Sequence, residues 1–465
     1  MSQSKNLLKN TLIYTIGNFG SKILTFLLLP FFSFYLNLSD LGTYDLVVSS
    51  LSVLVPIITL QVSDAVYRWL LTCEKDDFHY KRKIISNGFA IITIGVIIFN
   101  LFYYLLAAYL KLHLTKYFPI LIITYSFMPF FQCILRGLGR TKLYSITSLI
   151  NAFLILVLNV TFLVFFKLKL ESLFIALIIA NSTTIFFIAF RVKIWKYILW
   201  VELNLFKIKE MLRFSLPLVP NMISWWLINA SDKFIILYFL SAEYNGIYAV
   251  SSRFPTILTL FNSVFILAWQ DHTIATKEKD KHLYDTKVFD RYVNFELSMA
   301  LFFIATSQFL VTHLIDNKYY DSYKYMPFLY IGVAYSAFSG YFGAAFLREK
   351  NTKGVFISSV MGGMINIIIS FMLMKKIGLY APALGTFVSF FIMFFIRVRQ
   401  TKNFFFVKVN YLKLFWMTIL CICFSLMLLL NIYWINYILM VISLILALIM
   451  NKEIFVKIYK KIVTK

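Results

Sequence analysis

Eight ionisable residues stand inside otherwise apolar runs of this chain: the bases Lys22, Arg68, Lys233 and Arg253 and the acids Asp45, Asp64, Asp232 and Glu296. A charge in the middle of an apolar helix costs roughly 2.5–3.5 kcal/mol on insertion scales, so it faces a cavity, a partner or a ligand. Bases so placed suit phosphate or carboxylate groups. Acids so placed suit a coupling proton or cation, or a structural pair with one of the bases.

Lys22 lies near the middle of the first run, in GNFGSKILTF, with Gly17 and Gly20 permitting close approach or bending. At that depth snorkelling is difficult, so its ammonium points into a cavity as an anion contact, or else is a structural ion pair or a water-solvated lysine. Asp64 and Arg68 are four apart on one helical face near the inner end of the second run, where they can pair locally. Arg68 there is also within reach of the headgroups. Asp232 and Arg253 flank one polar turn at equal distances, so a hairpin sets them at one depth; an ion pair would keep both in a low dielectric with little net stabilisation. Arg253 serves that pair or a substrate. Lys233 is turned about 100° from Asp232 and meets a different neighbour. Glu296, about two turns from the inner end of its run, reads as a coupling carboxyl or a hydrogen-bonded structural one. Asp45, near the outer end of its run, reads as solvated. Trp225 and Trp226, in NMISWWLINASDKF with Asn221 and Asn229, offer the ring faces and amides that hold sugars, and are equally ordinary in membrane helices.

The elements that position these residues follow from composition. Of 465 residues 60% are hydrophobic and 14% charged, with a mean hydropathy of +0.79. A soluble domain needs more charged surface than this. A bilayer-spanning helix needs about 20 apolar residues, and fourteen runs of about that size occur: 11–36, 43–71, 85–110, 117–135, 143–166, 172–190, 214–239, 246–270, 289–314, 325–347, 354–374, 379–396, 411–431 and 434–451. The last two are the least distinct, leaving twelve as the alternative count. The expected fold class is therefore an all-α polytopic membrane protein with about 14 transmembrane helices. The first run is too long for a signal-peptide core and reads as a retained helix. Prolines at 30, 56, 129, 217, 220 and 255 interrupt several runs, as bends do in transporters.

The net charge of +24 would suggest nucleic acid in a soluble chain. Alternating the connectors from a cytoplasmic N-terminus puts 33 of the 45 Lys and Arg on the inner side and 8 on the outer. That bias fits the positive-inside rule, with both termini cytoplasmic, and removes the case for a nucleic-acid partner. The connector 191–213 mixes Lys with Trp and Leu and reads in part as a helix at the inner surface.

A repeat runs through the chain. Leu36-x5-Gly42-x-Tyr44 returns 204 residues later as Leu240-x5-Gly246-x-Tyr248. LRGLGRTKLY (135–144) returns as LREKNTKGVF (347–356). Two parallel six-span halves follow, and parallel repeats place a substrate path near the midplane. No nucleotide loop or catalytic cluster occurs, His is dispersed, and no cofactor or metal site is expected; the four Cys read as packing residues. The chain is not expected to be an enzyme.

YTIGNFGSKILTFLLLPFFSFYLNLSDLGTYDLV, SDKFIILYFLSAEYNGIYAVSSRF and LRGLGRTKLY resemble polysaccharide repeat-unit flippases, the Wzx-type branch of the multidrug/oligosaccharidyl-lipid/polysaccharide exporter superfamily. Lys233 stands where that family more often has Arg. The resemblance implies two six-helix bundles in a V around a central cationic cavity, followed by two extra helices: residues 1–192, a basic linker 193–213, 214–400, and 401–465 for the extra helices and tail. It implies an undecaprenyl-pyrophosphate-linked oligosaccharide as cargo, in O-antigen, lipopolysaccharide or capsule biosynthesis, carried across a bacterial plasma membrane by alternating access. A polysaccharide polymerase is a further candidate partner. By that similarity Lys22, Arg68 and Arg253 line the cavity. Lys233, Trp225 and Trp226 are further candidate substrate contacts, and Asp64, Asp232 and Glu296 candidate coupling or ion-pair groups. Three alternatives stay open: a MATE-like drug or cation exporter, a lipid-linked peptidoglycan precursor flippase, and, against the short basic loops, a membrane glycosyltransferase or polymerase.

Overall fold

A computed structural model describes residues 2–74, 77–110, 116–275, 282–349 and 352–453. Among the described residues it contains helices and no strand. In chain order they are α1 (Ser2–Tyr35), α2 (Leu38–Thr59), α3 (Val62–Thr72), α4 (Phe78–Leu110), α5 (Phe118–Gly137), α6 (Thr141–Val164), α7 (Lys169–Val192), α8 (Leu205–Ser215), α9 (Leu218–Asn229), α10 (Ser231–Phe239), α11 (Ala242–Arg253), α12 (Pro255–Ala275), α13 (His282–Leu314), α14 (Met326–Arg348), α15 (Thr352–Ile377), α16 (Tyr380–Thr401), α17 (Tyr411–Leu429) and α18 (Tyr433–Met450). Each of the fourteen apolar runs coincides with one helix or with a broken pair. Among the described residues nine helices are alone long and apolar enough to cross a membrane, or ten if α11 and α12, bent by 43°, count as one span. This is a multi-pass membrane protein.

Three runs that read as single spans are broken. Between α2 and α3, Leu60 and Gln61 both adopt the left-handed region, at φ 50° and 53°, which costs roughly 1–2 kcal/mol per non-glycine residue. The break turns the Ile58 carbonyl towards α4, where Gly95 alone leaves room for it: a Cβ there would clash with that oxygen. Between α9 and α10 the helix stops at Ala230. Between α11 and α12, Pro255 opens the second helix, as its missing N–H favours.

The repeat is visible in register. Asn37 and Ser241 are the N-caps of α2 and α11, and in each helix the repeated glycine is the fifth residue and the tyrosine the seventh. Gly42, Gly246, Tyr44 and Tyr248 are all buried. The environments then diverge. Tyr44 meets Phe32 and Phe174 edge-on or tilted, whereas Tyr248 donates a hydrogen bond to Asp232.

Two compact units divide the chain, 1–226 and 227–465. In the first, α1 packs on α6 and α3 on α5, and Asn151 ties α6 to Asn181 and Thr184 of α7 at 3.0 and 3.2 Å. The basic connector is strapped down: Ser86 and Asn87 of α4 bond Tyr197, Leu199, Glu202 and Asn204 between 2.9 and 3.0 Å. Above the strap Val201 and Phe206 are 96% and 80% exposed, apolar groups placed where a headgroup layer would receive them.

In the second unit α14, α15 and α16 pack together, and α17 and α18 pack on α13. Its core is aromatic. Trp269 stacks on Tyr341 at 4.2 Å and Phe265 on Tyr292 at 3.9 Å. The last two helices are fixed by polar contacts. Gln308 donates to Asn431 at 2.6 Å and accepts from Asn436, and Tyr335 pairs with Thr418 at 2.8 Å.

Candidate functional site

The break before α10 creates a polar site in the second unit. Stopping the helix at Ala230 leaves the Ile228 carbonyl without a helical donor, and Asn366 of α15 supplies one from Nδ2 at 3.0 Å. Asp232 falls in the first turn of α10, the end at which a helix dipole favours negative charge. The same Asn366 amide donates to Asp232 Oδ1 at 2.9 Å. Asp232 Oδ2 accepts from Tyr248 Oη of α11 and Thr386 Oγ1 of α16, both at 3.0 Å. Ser370, one turn beyond Asn366, sits 3.5 Å from Asp232 Oδ1 and 3.3 Å from Asn366 Oδ1.

The carboxyl is buried, yet its neighbours are neutral donors on three other helices. Lys233, next in sequence and half-buried, lends its positive field. Gly385 makes the assembly possible. A Cβ there would stand 2.5 Å from both Asn366 Oδ1 and Ser370 Oγ, so glycine lets α16 press onto α15. An apolar cluster of Ile236, Leu329, Met374 and Leu379 packs around Tyr248. Neutral hydroxyl and amide donors to both oxygens favour the charged form of this buried carboxyl. Among the described residues no group of three or more His, Cys, Asp or Glu could hold a metal ion.

Residues 7–269 match the family described as "Polysaccharide biosynthesis protein". The chain belongs to that family. As the resemblance indicated, the family is one of the flippase families of the multidrug/oligosaccharidyl-lipid/polysaccharide exporter superfamily. No curated protein matches the chain. Among solved structures it is similar to "Lipid II flippase MurJ, inward closed conformation", with a TM-score of 0.72, 16% identity, 96% of this chain and 100% of that one covered. It is also similar to an inward-facing multidrug resistance MATE family transporter, TM-score 0.64, 14% identity, covering 84% and 94% of the two chains. A third likeness is to a mutant of the Vibrio cholerae MATE transporter VcmN, TM-score 0.57, 15% identity, covering 86% and 98%. These likenesses place the fold among membrane transporters.

In this polysaccharide biosynthesis protein the other sequence-derived candidates lie on α1, α2, α3, α9, α10, α11 and α13. Lys22 is exposed on α1 and takes part in no ion pair or hydrogen bond among the described residues. Asp64 and Arg68 are both exposed on α3 and do not pair: Arg68 lies over the Phe214 ring at 4.5 Å, and the cation whose field reaches Asp64 is Arg136. Asp232 and Arg253 do not pair either, because neutral donors already fill both Asp232 oxygens. Arg253 ends α11, half-buried, at the bend into α12. Trp225 and Trp226 are half-buried on α9, and Trp226 Nε1 donates to the Ser49 carbonyl of α2 at 2.9 Å.

Glu296 is fully buried on α13, and neither carboxyl oxygen meets hydrogen-bond geometry among the described residues, although Asn262 of α12 lies beside it. An ionised carboxyl left so at this depth costs several kcal/mol, which a bound proton or cation removes. Asp45 corrects the expectation of a solvated residue: it is buried, two turns into α2, which begins at Leu38.

Two buried polar clusters were not legible in the sequence. The ring around Asp232 was missed, though Asn366 and Ser370 at i and i+4 in an apolar run are a readable polar stripe. Arg397, counted with the basic loop residues, lies inside α16 and is buried. Its guanidinium donates to Ser358 Oγ at 3.0 Å, the Ser339 carbonyl at 2.9 Å and Ser359 Oγ at 3.1 Å, stapling α14, α15 and α16 without a carboxylate.

Proposed function

We propose that this protein is a flippase that moves an undecaprenyl-pyrophosphate-linked oligosaccharide repeat unit from the cytoplasmic to the outer face of a bacterial plasma membrane by alternating access. The unit would feed an O-antigen or capsule, with a polysaccharide polymerase as the partner on the outer face. The observation that carries this reading is the polysaccharide biosynthesis match over residues 7–269, which a drug exporter does not predict.

The chemistry supports it. A pyrophosphate with sugars needs positive charge and polar contacts through hydrocarbon, while its polyprenyl tail stays in the bilayer. Lys22 and Arg68 in the first unit, and Lys233 and Arg253 in the second, are the cations proposed to meet it. Trp225 and Trp226 are proposed to present ring faces to sugar. Single Lys and Arg contacts also let the cargo leave. Asp232, with Glu296 and Asp64 as the other carboxyls, is proposed to couple transport to a proton or a monovalent cation.

A second reading is a lipid-linked peptidoglycan precursor flippase, favoured by the coverage of the lipid II flippase fold from end to end. Deleting the protein and analysing lipid-linked intermediates separates the readings. Undecaprenyl-linked oligosaccharide trapped on the cytoplasmic leaflet supports the first; trapped peptidoglycan precursor supports the second. Unchanged glycans with altered dye efflux overturn both.

A further inference from the structure

The connector between α16 and α17 is a fixed strap. Phe404 and Phe405 donate their N–H groups to the Thr401 carbonyl at 3.0 and 2.8 Å. The Phe404 carbonyl accepts from Arg348 Nη2, and the Lys408 N–H donates to Thr286 Oγ1 of α13 at 3.1 Å. Asn410 then caps α17 by accepting from the Lys413 N–H at 3.0 Å. Phe405 is buried beneath the strap, against Phe342 at 5.7 Å and Tyr341 at 6.0 Å.

Held this way, the strap encloses an open cavity of about 1080 Å³ at the basic end of the second unit. Its walls are apolar and include Leu283, Phe406 and Tyr411, each more than half exposed. Three cations share the lining, Arg399 and Lys402 at the end of α16 and Lys408 on the strap. All three are exposed, none is in an ion pair among the described residues, and no acidic side chain lines the cavity. Just beyond it, Phe415 and Trp416 of α17 are exposed, as side chains facing acyl chains and the interface would be.

Hydrocarbon walls joined to three uncompensated positive charges fit a molecule with a phosphate at one end and acyl chains at the other. A free phosphate has no use for the walls, and a neutral lipid none for the charges. We propose that this groove binds an anionic phospholipid of the cytoplasmic leaflet, the phosphate held by Arg399, Lys402 and Lys408 and an acyl chain lying along Leu283, Phe406 and Tyr411. The leaflet rests on the charge bias that makes the basic face cytoplasmic. The site is independent of the transported cargo.

The test uses the full-length protein, delipidated in neutral detergent, with bound lipid counted by native mass spectrometry. Phosphatidylglycerol, phosphatidylcholine, glycerol 3-phosphate and undecaprenyl phosphate are titrated separately. The variant Arg399→Gln/Lys402→Gln/Lys408→Gln changes exposed side chains only. The control Lys287→Gln/Arg291→Gln/Lys452→Gln removes three cations from the neighbouring rim. We expect phosphatidylglycerol to bind the native protein and the control equally, and the groove variant about 100-fold more weakly. Phosphatidylcholine and glycerol 3-phosphate should bind weakly throughout. Equal binding of the two phospholipids, or equal loss in both variants, would overturn the proposal. So would undecaprenyl phosphate displacing phosphatidylglycerol from the native protein, which would assign the groove to the carried lipid.

Discussion

Asp232 and Asn366, 134 positions apart in the chain, are joined by a 2.9 Å hydrogen bond, and the same amide also holds the Ile228 carbonyl that the helix break releases. Broken backbone and buried charge therefore share one donor. Irregular backbone at membrane depth is tolerated where such groups satisfy it or where it lines a polar site.

Asp232→Asn keeps the size of the side chain and removes its charge. If the carboxyl couples transport, surface glycan should fall at least ~10-fold, the scale of 1.4 kcal/mol, at unchanged protein level in the membrane. Complementation of a deletion strain, read by glycan staining and immunoblot, checks this. Native transport in the variant would leave Asp232 as a structural residue.

Gly385→Ala should act on the same site from behind. The added methyl meets Asn366 and Ser370 at 2.5 Å, and relief of such overpacking typically costs about 1–3 kcal/mol. A fall of several degrees in melting temperature, with loss of transport, is the expected outcome in detergent thermal unfolding.

Arg397 is buried among neutral acceptors, so its loss should be felt as packing and unsatisfied polarity. Arg397→Ala is expected to destabilise by roughly 2–4 kcal/mol. Arg397→Lys should recover little, because a point ammonium cannot span three acceptors on two neighbouring helices. Thermal unfolding of purified protein separates the two variants.

The sequence made the helices legible and the breaks obscure. Apolar runs of about membrane length leave few alternatives to helix, and the N-caps and tyrosines of α2 and α11 keep the 204-residue register through the fold. Leu60 and Gln61 carry no signal for left-handed backbone; only the approach of Gly95 from α4 explains how the break is accommodated. Asp232 was legible as a charge out of place, but its ring was not, because Tyr248, Asn366, Ser370 and Thr386 are ordinary residues until three further helices converge. Equal depth across a hairpin pointed to Arg253, and neutral donors took the carboxylate instead. Arg397 was misread for a simpler reason. Its position near a helix end is the same for a loop cation and a buried staple, and only packing distinguishes them.

Trp226 tests whether a ring or its N–H matters. Trp226→Phe loses the bond to the Ser49 carbonyl, worth about 0.5–1.5 kcal/mol, and keeps an aromatic face. Transport should survive in Trp226→Phe and fall in Trp226→Ala. Equal activity in both would remove Trp226 from the proposed sugar contacts.

The most direct measurement is transbilayer movement of a labelled undecaprenyl-pyrophosphate-linked oligosaccharide in proteoliposomes, read by the access of a glycosidase added outside. The native protein should expose inner-leaflet substrate at a rate well above protein-free vesicles. Lys22→Ala should lose most of that rate and Lys22→Arg should keep much of it. Movement no faster than in empty vesicles under any imposed proton or cation gradient, or full activity in Lys22→Ala, would contradict the account.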